Sequence, residues 1–184
     1  MNDVERIYNE LSAVRSLLRA QGTPSDVVSF EELGAKTLLL CAASFFERRI
    51  SSLLLEIAGD TGSNRLFCAF IEKQALERKF HQLFAWERSN ANKFFGLFGD
   101  DFSAWMQGQV KADAEMEQSI REFMFVNNRR NVMAHGNFAA ISAEVTFDEA
   151  WQKYTTALKF VEWLPVKLRE AAASRLAVTA AENE

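Results

Sequence analysis

Helix breakers are scarce in this chain: 2 Pro and 8 Gly in 184 residues. So few interruptions favour long helices. Cysteine is scarce too. Cys41 and Cys68 both fall in apolar, helix-like stretches and read as reduced core residues of a cytoplasmic protein. No Cys/His cluster has zinc-ligand spacing, so neither a metal nor another cofactor is expected. No apolar run approaches the ~18 residues of a membrane helix. The N-terminal stretch Met1 to Glu10 is charged, unlike a secretion signal. Positive charge is also short, with 21 basic against 25 acidic residues and a net charge of −4. That argues against a protein that coats nucleic acid, yet leaves room for a small basic site holding one or two phosphates. Gly-rich phosphate loops, a serine nucleophile elbow and the Glu-x-x-His pairs of a di-iron bundle are all missing.

What the chain has is apolar and aromatic mass: 48% hydrophobic residues, with 16 Phe and 4 Trp. This excludes disorder and calls for a large aromatic interior or an apolar interface. The length suits one domain over residues 1–184. A 3.6-residue stripe (Val4, Ile7, Leu11, Val14, Leu17, Leu18) predicts a first helix from an Asn/Asp cap, ended by Gly22-Thr23-Pro24-Ser25. A second helix is predicted from Ser29 to about Ala58, apolar almost all round at its centre, as in the middle of a bundle. A third, capped near Ser63, should extend through Leu66, Phe70 and Leu76 to Phe84. Glu87 to Asp100 reads as a loop whose Phe94, Phe95, Leu97 and Phe98 tuck under the bundle, with an exposed lid as the alternative. A short helix follows around Phe102 to Gln107, then a long one from about Ala112 to Ala134. Thr146 to Glu149 has the form of a capping box for a last helix, kinked at Pro165 and fraying from Ala171. The expectation is an all-α bundle of four to five main helices plus short ones.

The informative stretch is Asn127-Asn128-Arg129-Arg130-Asn131-Val132-Met133-Ala134-His135-Gly136. The face carrying Ile120, Phe123 and Met124 turns polar there, at Asn127 or Asn128, Asn131 and His135. Each such group needs a partner if it is buried. Asn131 and His135 are i, i+4, so the amide can orient the imidazole. Arg130 and His135 lie roughly 140° apart around a helix and ~7.5 Å along it, so a concave site is needed to gather both. Gly136 is positioned to close the helix in the left-handed conformation. The bland alternative is a cationic last turn that suits the helix dipole.

Arg130-Asn131-Val132-Met133-Ala134-His135 resembles the R-x4-6-H motif of HEPN-domain proteins, including the polar residue directly after the Arg. Ser44-Phe45-Phe46-Glu47-Arg48-Arg49-Ile50 and Phe94-Phe95-Gly96-Leu97-Phe98-Gly99 look most like the RiboL-PSP branch, over roughly residues 30 to 165. The resemblance implies a homodimer with a composite cleft between motif helices. It also implies RNA cleavage without a metal, leaving a 2′,3′-cyclic phosphate. By that likeness His135 transfers protons, Arg130 binds the phosphate, and Asn131 orients His135 or bonds a phosphate oxygen. The guanidinium fork suits that task. Candidate substrate contacts are Arg129, Asn127, Asn128, Glu47 and Arg48. Glu47 and Arg48 belong to a polar stripe, with Ser44 and Ser51, that reads either as a water-facing side or as a partner for Arg130 or His135.

Metal-free RNA cleavage needs one group to take the 2′-OH proton and another to protonate the leaving 5′-oxygen. Only His81 and His135 have the right intrinsic pKa, so a two-imidazole mechanism needs either His81 or a second copy of His135. A two-fold axis would supply that copy. His81, beside Arg78 and Lys79, reads as a surface or core-edge histidine. The expected function is therefore an endoribonuclease toxin or antiviral effector, with RNA, a second copy and a neutralising antitoxin as partners. The alternatives are a non-catalytic HEPN-like module binding RNA, a nucleotide or a protein, and a structural helical dimer held by its Phe-rich segment.

Overall fold

The computed structural model describes residues 1–60, 68–69, 71–76 and 79–182. Among them no strand occurs. The helices are α1 (Asp3–Ala20), α2 (Pro24–Asp60), α3 (Phe80–Leu83), α4 (Asn92–Gly96), α5 (Asp100–Ala112), α6 (Ala114–His135) and α7 (Phe147–Glu182), with a π-helical turn at Glu72–Leu76. The all-α expectation holds. The expected helix cap at Ser63 and the stripe residues Leu66 and Phe70 lie outside the described residues.

Local chemistry explains most boundaries. Asn2 caps α1 by accepting from Val4 and Glu5 N–H at 3.0 Å, and Glu5 returns the bond to Asn2 N–H at 2.9 Å, a complete capping box. Thr146 and Glu149 make the same reciprocal pair at the start of α7. α2 begins at Pro24, earlier than the Ser29 expected, because a fixed φ and a missing N–H suit a first helical turn. α5 is longer than expected, from Asp100 to Ala112. α7 runs through Pro165 and stays helical to Glu182, past the point where the apolar stripe ends.

α2, α6 and α7 form the centre, with α1 laid along α2 and α7. The core is aromatic. Phe123 of α6 meets Phe46 of α2 at 5.4 Å, Phe160 of α7 at 5.1 Å and Phe84 at 5.2 Å between ring centroids. Phe94 stacks on Phe84 at 4.6 Å, so the short helix α4 tucks Phe94 and Phe95 fully inside. Leu97, expected beside them, is 57% exposed. Of the α1 stripe only Val4 is buried; Ile7, Leu11 and Leu18 are half-buried, and Leu17 remains 64% exposed.

α6 is bolted to α7 by one hydroxyl. Ser119, fully buried, donates to Thr156 C=O at 2.6 Å and accepts from Phe160 N–H at 2.8 Å. It thus sits between the carbonyl and the amide that an α-helix would pair directly. Among the described residues no helix is long and apolar enough to cross a membrane.

Candidate functional site

The apolar face of α6 turns polar one turn after Phe123. Asn127, 3% exposed, donates its amide to Phe123 C=O at 2.9 Å and so satisfies part of its buried side chain locally. Arg130 follows, half-buried. Its guanidinium donates to Asn131 Oδ1 at 3.1 Å and reaches Glu47 of α2 at 3.9 Å. The polar stripe on α2 therefore meets the motif helix through Glu47.

These residues line a cleft of about 160 Å³ formed by Glu47, Phe80, His81, Trp86, Asn127, Arg130 and Asn131. Three parts of the chain build it: the middle of α2, the end of α6, and the segment around α3. The last part was not visible as a site element. His81, expected at a surface or core edge, opens into the cleft. Phe80 is buried below it, and Trp86 packs on Phe80, Phe84 and Phe123 at 4.7–6.0 Å. Trp86 Nε1–H donates to His81 C=O at 2.7 Å, which fixes the backbone that carries the imidazole.

The other expected site residues lie elsewhere. His135 ends α6 on the exposed surface and does not line the cleft. Asn131 is turned toward Arg130 rather than toward His135. Asn128 is half-buried outside the cleft. Arg48 pairs with Asp3 at 3.1 Å and lines a different groove, between α1 and α2, together with Arg6 and Phe45. Arg129 is neither a solvated cation nor a cleft residue. It is 7% exposed, donating to Glu144 at 2.7 Å and to Ser142 C=O.

Arg129 is one of several struts on the connection after the motif helix. Lys36 donates to Phe138 C=O at 3.3 Å, and Glu32 accepts from Ala143 N–H at 2.9 Å. These ties hold the end of α6, and with it His135, against the first half of α2. Gly136 is extended at φ −109° rather than left-handed. Its missing side chain serves close packing instead, because a Cβ would strike Ile141 and lie 3.1 Å from Val132 C=O.

The family model of RiboL-PSP-HEPN matches residues 3–165. The chain belongs to that family. No curated protein and no solved structure matches it. HEPN domains are often ribonucleases, so membership is compatible with a ribonuclease or nucleotide-related role. Chemically, this HEPN site offers one guanidinium for a phosphate, one carboxylate beside it, two amides and an accessible imidazole. Among the described residues no group of three or more His, Cys, Asp or Glu side chains is placed to hold a metal ion. Scarcity had singled out His81 as one of two imidazoles in the chain, but nothing in the sequence placed it beside Arg130.

Proposed function

We propose that the protein is an endoribonuclease that cleaves RNA by attack of the 2′-OH on the adjacent phosphorus. The 2′-O–P bond forms, the P–O5′ bond breaks, and the products carry a 2′,3′-cyclic phosphate and a 5′-OH. The observation that carries this reading is Arg130, the motif arginine, lining a cleft with its guanidinium half exposed. A planar fork there can take two phosphate oxygens and stabilise the developing phosphorane. The cleft is smaller than the ~300–1,000 Å³ of pockets that enclose a drug-sized ligand. It suits a phosphodiester and part of its ribose, with the rest of the RNA outside.

Asn131 holds the guanidinium in place, and His135 transfers a proton. Because His135 stands outside the cleft of its own chain, it acts on a phosphate shared with a second copy. Exposed Val132 and Phe138, 39% and 38% accessible, flank the imidazole in sequence and suit a homodimer contact at the helix tip. The test is to incubate purified protein with RNA in chelator and analyse the new ends. Cyclic-phosphate ends that disappear in Arg130→Ala and His135→Ala are expected. Cleavage that survives Arg130→Ala, or that requires a divalent ion, would overturn the mechanism.

A further inference from the structure

We infer that His81 is a second proton-transfer residue, supplied to the Arg130 cleft by the same chain; this rests on the ribonuclease reading above. The two histidines differ in placement. His135 lies at an exposed helix end outside the cleft, whereas His81 lines it together with Arg130, Asn131 and Glu47. The cleft thus brings a histidine and a guanidinium suited to phosphate into one space, the juxtaposition that proton transfer to or from a ribose oxygen calls for.

The local structure looks built to hold that imidazole. α3 is a single turn, too short to be rigid by itself. It is fixed from both sides: Phe80 is buried in the core, and Trp86 grips the His81 carbonyl while packing into the Phe80, Phe84 and Phe123 cluster. The imidazole itself has no hydrogen-bond partner among the described residues and stays exposed, free to meet a substrate. The charged groups sharing the cleft are Glu47 from α2 and Arg130 from α6.

In the reaction, one imidazole takes the 2′-OH proton as the 2′-O–P bond forms. The other, protonated, gives its proton to O5′ as the P–O5′ bond breaks. His81 and His135 divide these two transfers. A single composite site then needs one His135 and one Arg130–His81 pair, rather than two copies of His135.

The experiment is a pH–rate profile on a short RNA in chelator for wild type, His81→Ala and the control Gln82→Ala, an exposed neighbour outside the cleft. A loss of at least ~100-fold is expected for His81→Ala, together with one limb of the bell-shaped profile. Added imidazole should restore part of the rate, an effect that a merely structural role would not show. The exposed position predicts an unchanged thermal melt. Mixing His81→Ala chains with Arg130→Ala chains should not restore activity, because neither chain then has both groups. A His81→Ala enzyme within a few-fold of wild type, with both limbs intact, overturns the inference and leaves the ribonuclease reading standing. Recovered activity in the mixture overturns the same-chain pairing. Wild-type protein that leaves RNA intact brings down both.

Discussion

If Arg130 binds the substrate phosphate as proposed, its neighbour Glu47 competes for the guanidinium, and replacing Glu47 with Gln isolates that effect. The two side chains are 42% and 35% exposed and 3.9 Å apart. A pair so open to solvent contributes little to folding, about 0–1 kcal/mol, so Glu47→Gln should leave stability within ~0.5 kcal/mol of wild type. Its effect on anion binding is larger. A phosphate seated on Arg130 would share the guanidinium with the carboxylate, and like charges ~4 Å apart repel by ~1 kcal/mol at the dielectric constant of water, which sets the scale of the competition. Taking the solvent-exposed limit, Glu47→Gln should tighten binding by about fivefold. Fluorescence anisotropy with single-stranded DNA, which lacks the attacking hydroxyl, measures this without turnover. The gain should vanish at ~1 M salt, where the Debye length is only about 3 Å. Weaker binding in Glu47→Gln would refute the competition argument and show that the carboxylate instead holds Arg130 in its binding geometry.

Four other outcomes follow from the structure. Arg129→Met should cost about 2 kcal/mol and lower Tm by roughly 4–8 °C, because charged hydrogen bonds to Glu144 and Ser142 C=O are lost from a buried site. Calorimetry checks it. Ser119→Ala should cost about 1–3 kcal/mol in urea unfolding by leaving Thr156 C=O and Phe160 N–H without their bridge. A change under ~0.5 kcal/mol would mean that α7 closes its own ladder there. Burial, partly offset by the bond from Asn2, pushes the Tyr154 phenol up to about 12 from 10. The neutral phenol is the form the fold favours, so its contribution is complete below pH 10 and is lost as pH rises from 10 toward 12. Ultraviolet difference titration should show the Tyr154 phenol ionising near pH 12 rather than 10. Finally, one Arg130 per chain predicts a shallow salt dependence of binding, about 0.7 log units of affinity per log unit of salt for each phosphate engaged. A steep slope would reveal a basic surface beyond the cleft.

Features carried by nearest neighbours in sequence were legible. The capping box at Thr146, the start of α1 and the course of the motif helix follow from caps and 3.6-residue periodicity. The burial of Phe94 and Phe95 followed from the cost of exposing adjacent aromatic rings. Pro24 was misread as punctuation because the same residue that breaks a helix interior is favoured in its first turn. Gly136 suggested a left-handed cap because no local pattern reveals Ile141 folding back against it. The partners of Arg129 and Lys36 were likewise invisible, since Arg129 bonds residues 13 and 15 positions away and Lys36 one 102 positions away. That His81 shares a cleft with Arg130 was invisible for the same reason. Its meaning depends on α3 packing beside α6, which no periodicity within either segment encodes.

The polar stretch of α6 makes physical sense once its partners are counted. A helix cannot turn from Phe123 and Met124 to polar and charged groups without cost unless each buried one is satisfied. Asn127 bonds its own helix, Arg129 the following connection, and Arg130 both Asn131 and Glu47. Neither imidazole has a polar partner among the described residues, and both histidines are exposed. Structure thus commits Asn127, Asn131 and Arg129, while the two imidazoles make no hydrogen bond of their own. Two unpartnered rings, one inside the Arg130 cleft and one at the rim of a helix tip, fit a site whose remaining partners arrive with the substrate.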